Sequence, residues 1–199
     1  IVRDPDGAYD LGAEAPFSWI QVGDGPIEDL EGAHSLTVMG WLNAAEMKVG
    51  AGGNRILFSL QHNRSGIDLV HHEDGRMRLA VNEWPDGIQN DSSPGKVVVG
   101  KWVFFAVTYD AGLQAQNVCW YFGDESTPAA LDRKTTYNRG PVDEGGGDLV
   151  IGNFNTTLQG AGLDRQFRGK IRGLQIYASR MTTRGALTLE KIRERQRDK

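Results

Sequence analysis

The sequence predicts an all-β protein, a single two-sheet antiparallel β-sandwich finished by a short C-terminal helix. Short apolar runs with period-two alternation recur from residue 35 to residue 177, and no helical pattern separates them. Glycine is abundant, at 26 residues, and falls between those runs, where a chain of many strands must turn. The length of 199 residues and 39% hydrophobic content suit one sandwich with a sizeable core and leave two domains short of material. The division expected is a sandwich over residues 1–180, with residues 181–199 as a helix and charged tail of the same domain.

The elements follow in order. Residues 35–42 (SLTVMGWL) alternate, with Leu36, Val38 and Leu42 on one face and Thr37, Met39 and Trp41 on the other. Residues 55–60 form a short apolar run. Residues 66–72 and 76–82 flank Glu73-Asp74-Gly75, a strong hairpin signal. Residues 101–110 (KWVFFAVTYD) are the most β-prone stretch, and apolar residues on both faces mark a central strand. Residues 117–123, 149–152 and 167–177 complete the set. Residues 44–54, 83–100, 124–148 and 153–166 read as long loops, a length that in compact domains accompanies function. Thr182 or Thr183 is positioned to cap a closing helix with Leu187, Leu189 and Ile192 on its apolar face.

The net charge of −4 and acidic pI of about 5.6 argue against nucleic acid as partner, since phosphate recognition asks for a positive patch. The single cysteine, Cys119, allows no internal disulfide and no CxxC pair, and its apolar run makes it a small buried side chain. No apolar run approaches the roughly 20 residues needed to span a bilayer, so this segment is not expected to insert in a membrane. A chain that starts at Ile1 without a signal segment reads as part of a longer protein.

Several of these runs, in this order, resemble the laminin-G-like jelly roll of the concanavalin A-like lectin/glucanase superfamily. Gly7-Ala8-Tyr9-Asp10 and Trp19-Ile20-Gln21-Val22 look like its opening, and residues 35–42 like the strand that follows. The most telling piece is Gly100, Trp102, Ala106, Tyr109 and Asp110 in a Gly-x-Trp-x-x-x-Ala-x-x-Tyr-Asp pattern. Trp120-Tyr121-Phe122, Leu149-Val150-Ile151-Gly152 and the closing run 167–177 are similar to later strands, and residues 181–192 to the helix after them. The resemblance covers almost the whole chain. It implies a glycan-binding or adhesion module of a secreted, cell-surface or periplasmic protein. A module for protein partners, and a polysaccharide lyase or glycoside hydrolase, are the alternatives.

The residues themselves speak against catalysis. Glucanases on this fold place carboxylates at alternating positions of one strand, so that they share a face. The nearest cluster, Glu28-Asp29-Leu30-Glu31, has the wrong spacing and sits in a turn context. Gln61-His62 and His71-His72 lack the spacing of a lyase, and adjacent strand residues point to opposite faces, away from any shared metal ion. There is no Gly-x-Ser-x-Gly turn and no phosphate loop. Asp4, Asp6 and Asp10 in DPDGAYD resemble a fragment of a calcium loop, with an ordinary Asp-Pro/Asp-Gly turn as the alternative. The resemblance implies an acidic calcium ligand in the closing strand, where this chain has Arg172-Gly173; a structural calcium ion is therefore an open expectation.

If successive strands run antiparallel, their loops alternate between the two ends of the sandwich. Residues 61–65, 83–100 and 124–148 then share one end, and residues 44–54, 111–116 and 153–166 the other. The first group holds the residues suited to a sugar. Trp84, in a polar, Pro- and Gly-flanked stretch, is the best candidate for a stacking platform, with folding back as a lid on the core as the alternative. His62, Asn63, Arg64, Asp86, Tyr137 and Arg139 are the hydroxyl and carboxylate contacts. Trp41, Trp102 and Trp120 lie within strands and are expected in the core.

Overall fold

A computed structural model describes the chain except for residues 13–17, 48–52, 62–64, 84–86, 89, 145, 157–164 and 199. Twelve strands are formed by the described residues: β1 (Val2–Arg3), β2 (Tyr9–Asp10), β3 (Ile20–Val22), β4 (Ser35–Ala44), β5 (Asn54–Phe58), β6 (Ile67–His71), β7 (Met77–Val81), β8 (Trp102–Asp110), β9 (Val118–Gly123), β10 (Ala130–Thr135), β11 (Leu149–Ile151) and β12 (Gly169–Ser179). A 3-10 turn (Thr183–Gly185) and helix α1 (Leu189–Arg197) close the chain. The strands make two antiparallel sheets, a large one in the order β1-β2-β12-β4-β8-β9-β10 and a small one in the order β3-β11-β5-β6-β7. The expected sandwich is thus present.

The alternation read from the sequence sorts the side chains. Leu36, Val38 and Leu42 of β4 and Phe105, Val107 and Tyr109 of β8 face the small sheet, and meet Ile67, Leu69, Met77, Leu79 and Val81. The intervening residues Met39, Trp41, Phe104 and Ala106 face outward into a second cluster, sealed by Ile192 of α1. That seal is why β4 and β8 are apolar on both faces. Trp120 is fully buried between the sheets, Trp41 is buried under the helix, and Trp102 is half-buried at its margin. Thr37 ties the C-terminal segment down, its hydroxyl donating to the Gly185 carbonyl (2.6 Å) and accepting from the Leu187 amide (2.9 Å). Helix α1 itself is capped by Thr188, not by the threonines named above, of which Thr182 caps the 3-10 turn instead.

Two connections differ from expectation. Residues 124–148 are not one loop, because β10 interrupts them and pairs with β9 at the edge of the large sheet. Residues 83–100 do not stay at one end either. Residues 90–92 run along β7 as a strap: the Leu79 amide donates to the Asn90 carbonyl (3.2 Å) and the Ser92 amide to the Met77 carbonyl (2.9 Å). The strap then reaches across to the large sheet, where Asp132 of β10 accepts from the Ser93 amide (2.9 Å) and pairs with Lys96 (2.7 Å). Gly75 lets the β6–β7 hairpin tip fit beneath it: its φ is +76°, and a Cβ would lie 2.5 Å from the Val97 carbonyl oxygen. Because the strap crosses from one end to the other, the loop at 111–117 joins the same end as residues 59–61 and 136–144; the Asn117 amide nitrogen donates to the Tyr137 carbonyl (2.9 Å). The alternation rule gave the opposite placement for 111–116, since it counted no such crossing.

Candidate functional site

The outer faces of the two sheets are made differently. That of the large sheet is apolar and lies under α1. That of the small sheet carries charge within its strands. A β-bulge between Arg55 and Leu57 turns both Arg55 and Phe58 outward, opposite Val70 and Asp68. The Arg55 guanidinium grips Asp68 with two bonds, Nε to Oδ1 at 3.2 Å and Nη2 to Oδ2 at 2.9 Å. It lies 4.4 Å from the ring centroid of Phe154, which packs edge-on against Phe58. Both charged residues are inaccessible to solvent, at 1% and 0%. Burial pulls Arg55 below and Asp68 above their ordinary values, and each opposes that pull in the other. The fork-to-fork geometry is that of an ion pair.

A second pair sits one strand further out, at the accessible rim. Arg78 of β7 holds Asp91 of the strap with two bonds, at 2.6 and 3.0 Å. Arg76 approaches the same carboxylate at 3.4 Å and Asp74 at 3.5 Å. The Arg76 and Arg78 side chains keep 34% and 20% exposure, so this network, unlike the Arg55–Asp68 floor, can be touched from solvent. His72 lies beside it with Nε2 buried and unpartnered among the described residues. Burial first, then the charges of Arg78 and Arg76, bring its pKa down to about 4, so it is neutral at neutral pH. His71 faces the opposite side, edge-on to Phe167, and burial followed by the charge of His72 lowers it to about 4.

Of the residues expected at the site, Trp84, His62, Asn63, Arg64 and Asp86 lie outside the described residues. Their flanks do converge at one end: the Gly147 amide donates to the Ser59 carbonyl (2.7 Å), and the Asn82 side chain donates to the Arg139 (3.0 Å) and Pro141 (2.7 Å) carbonyls. Tyr137 is not a surface contact. It is fully buried, edge-on to Tyr109, with its hydroxyl accepting from the Val81 amide at 3.0 Å. A polar loop predicts an exposed aromatic, but the loop folds this one into the core. Arg139 is half-buried and pairs with Glu83 at 3.1 Å. Arg55, Asp68 and Arg78 are not picked out by loop composition, although a charged residue inside an otherwise apolar alternating strand is a signal visible in the sequence.

The expected calcium loop does not suit a dication. Asp4 is bonded by Lys170, Asp6 is paired with Arg172 at 3.5 Å, and Asp10 accepts the Gly12 amide at 2.8 Å. Arg172 also pairs with Glu125 (3.0 Å) and lies 4.1 Å from the Trp102 ring centroid. Cations of β12 thus occupy two of the three carboxylates a metal would need. Among the described residues, no three His, Cys, Asp or Glu side chains gather so as to hold a metal ion.

A family model described as the concanavalin A-like lectin/glucanases superfamily matches residues 17–184. No curated protein matches the sequence. Several solved structures share the fold at low identity. The heptameric SAP-like pentraxin of Limulus polyphemus is 15% identical, with 93% of this chain and 78% of that chain covered and a TM-score of 0.58. The CBM40 of the Ruminococcus gnavus IT-sialidase, solved with alpha2,3 sialyllactose, is 14% identical over 94% and 96% of the two chains, with a TM-score of 0.55. Domain 4 of AbnA, an extracellular GH43 arabinanase of Geobacillus stearothermophilus solved with arabinotriose, is 18% identical over 82% and 66%, with a TM-score of 0.54.

Proposed function

We propose that this chain, which belongs to the concanavalin A-like lectin/glucanase superfamily, is a non-catalytic glycan-binding module that works on the outer face of its small sheet. The observation that carries this reading is the Arg78–Asp91–Arg76 network at the rim of that face, standing on the buried Arg55–Asp68 pair. A sugar presents adjacent hydroxyls that both donate and accept. A preset array of guanidinium and carboxylate groups supplies both kinds of partner without reorganising. The sialyllactose and arabinotriose held by two proteins of this fold support a glycan as the ligand class. The non-catalytic part rests on the described carboxylates: Asp68 is sequestered by Arg55, and Asp91 is shared between two arginines, so neither is placed as a nucleophile beside a proton donor. We propose that the module works outside the cell or in the periplasm, a reading supported by the extracellular arabinanase whose domain shares the fold.

The test is a glycan array followed by calorimetry on the intact chain, with sialyllactose and arabinotriose among the probes. Arg78→Ala is expected to lower affinity by about tenfold, the cost of one charge-assisted contact. Trp84→Ala is expected to do the same if that residue supplies the stacking surface. A chain that binds no glycan at millimolar concentration, or an Arg78→Ala variant that binds as the parent does, refutes the assignment.

A further inference from the structure

The two free edges of the large sheet are treated differently. At one edge, β10 is bulged between Leu131 and Arg133; Asp132 pairs with Lys96 of the strap, and Arg133 and Lys134 stand exposed. Bulges, inward charges and exposed cations are the devices that stop a sheet edge from pairing with another chain. At the other edge, β12 pairs with β4 over residues 169–172 and again over 175–179, with a bulge between, and on its far side only Lys170 and Ile171 have a partner, in β2. From Leu174 to Ser179 (LQIYAS) that side has no strand beside it among the described residues, and the segment carries no charge.

This uncharged stretch borders a groove of about 650 Å³ between the two sheets, lined by Val22, Ile27, Leu30, Leu149, Ile176 and Ala178. Charge collects at one end of it. Asp24, Glu28 and Asp29 are exposed, and among the described residues none of their carboxylates has an ion-pair partner. The nearby cation is Arg180, whose guanidinium donates to the Glu28 carbonyl oxygen. Asp29 and Arg180 line the groove, and Asp24 and Glu28 lie in the same connection as Asp29, so the exposed carboxylates of that connection outnumber the guanidinium.

We propose that the β12 edge is a docking site for an extended segment of a protein partner, one with alternating apolar residues preceded by Lys or Arg. It adds antiparallel to β12, continuing the line that β2 begins, with its backbone bonded to residues 174–179 and its apolar side chains in the groove. Antiparallel addition sets its N-terminal end beside Asp24, Glu28 and Asp29, which is where the cations belong. The site is separate from the glycan face and does not depend on it.

A fluorescent peptide Lys-Lys-Val-Thr-Val-Thr-Val, titrated with the intact chain and followed by anisotropy, tests this. Binding is expected, and N-methylation of the alternate amides that face β12 should weaken it about tenfold through the lost main-chain bonds. The triple variant Asp24→Asn, Glu28→Gln, Asp29→Asn should weaken it about threefold, and added salt should do likewise. These three residues are exposed, so the variant keeps its core, and circular dichroism checks that it does. No binding by the parent chain, or equal binding of the N-methylated peptide, overturns the proposal. So does concentration-dependent self-association of the chain that the peptide competes away, because the edge would then belong to a second copy.

Discussion

The outer faces of the two sheets solve the same problem by opposite means. Each is covered. The large sheet is covered with hydrocarbon, as Met39, Trp41, Phe104 and Ala106 pack under Ile192. The small sheet buries ions, Arg55 on Asp68, and leaves a second network, Arg78 on Asp91, at the rim. Replacing a buried ion pair by apolar residues of similar volume is often neutral or stabilising, so such a pair is weak evidence of a stability role. Apolar packing holds the helix down, whereas the ions fix directions. The contrast separates a face that supports the fold from one whose charges are fixed in direction, as the proposed recognition role requires.

The sharpest way to break the contrast is to unpair the floor. Asp68→Ala strands a buried guanidinium and is expected to cost about 3–5 kcal/mol in urea unfolding. The double variant Arg55→Met, Asp68→Leu should recover most of that. If the double variant is as unstable as the single one, the ion pair is needed for stability and the contrast fails. On the apolar face, Ile192→Ala should cost about 3 kcal/mol through lost burial and the cavity left behind, and should leave glycan affinity unchanged. A loss of affinity there would mean that the faces are coupled.

Acid should act on the small sheet first. His71 and His72 have folded pKa values of about 4, below the 6.5 of the unfolded chain. The unfolded state therefore binds more protons in that window. The stability they represent is fully present above pH 6.5 and is lost as pH falls toward 4. For the more buried His71 the loss is about 3 kcal/mol at most. Hydrogen exchange at pH 7 and pH 4.5 should show β6 and β7 losing protection while α1 keeps its own; uniform loss would contradict the assignment. The smallest effect belongs to Thr188→Ala, which removes the cap of α1 and should cost about 1 kcal/mol, with increased exchange confined to the helix.

The sequence showed the sandwich more clearly than it showed the site, for identifiable reasons. Strands β4, β6, β7, β8 and β12 announce themselves because one face or both are apolar. Strand β10 does not, since ALDRKT is a polar edge strand with no apolar period to detect. The strap at 90–92 is equally silent, because it is held by backbone bonds and by Asp91 and not by hydrophobic side chains. For the site, loop composition was a poor guide. Tyr137 sits in a polar loop yet ends in the core, where its hydroxyl satisfies the Val81 amide. Arg55, Asp68 and Arg78 were overlooked because each lies inside a convincing strand, and only the bulge at Ile56 shows that Arg55 and Phe58 share a face.

The register of the longest strand pair bears on how this chain is made. Ser35 pairs with Ser179, and Asn43 with Lys170, so β4 receives one of its two neighbours only after nearly the whole chain has been synthesised. Until then a ten-residue strand that is buried at nearly every position in the final fold has an open flank. Pairings this distant in sequence are slow to form, and the waiting intermediate offers an apolar edge to other nascent chains. Yield on expression should therefore track how quickly residues 169–179 are delivered, more than it tracks the stability of the finished sandwich.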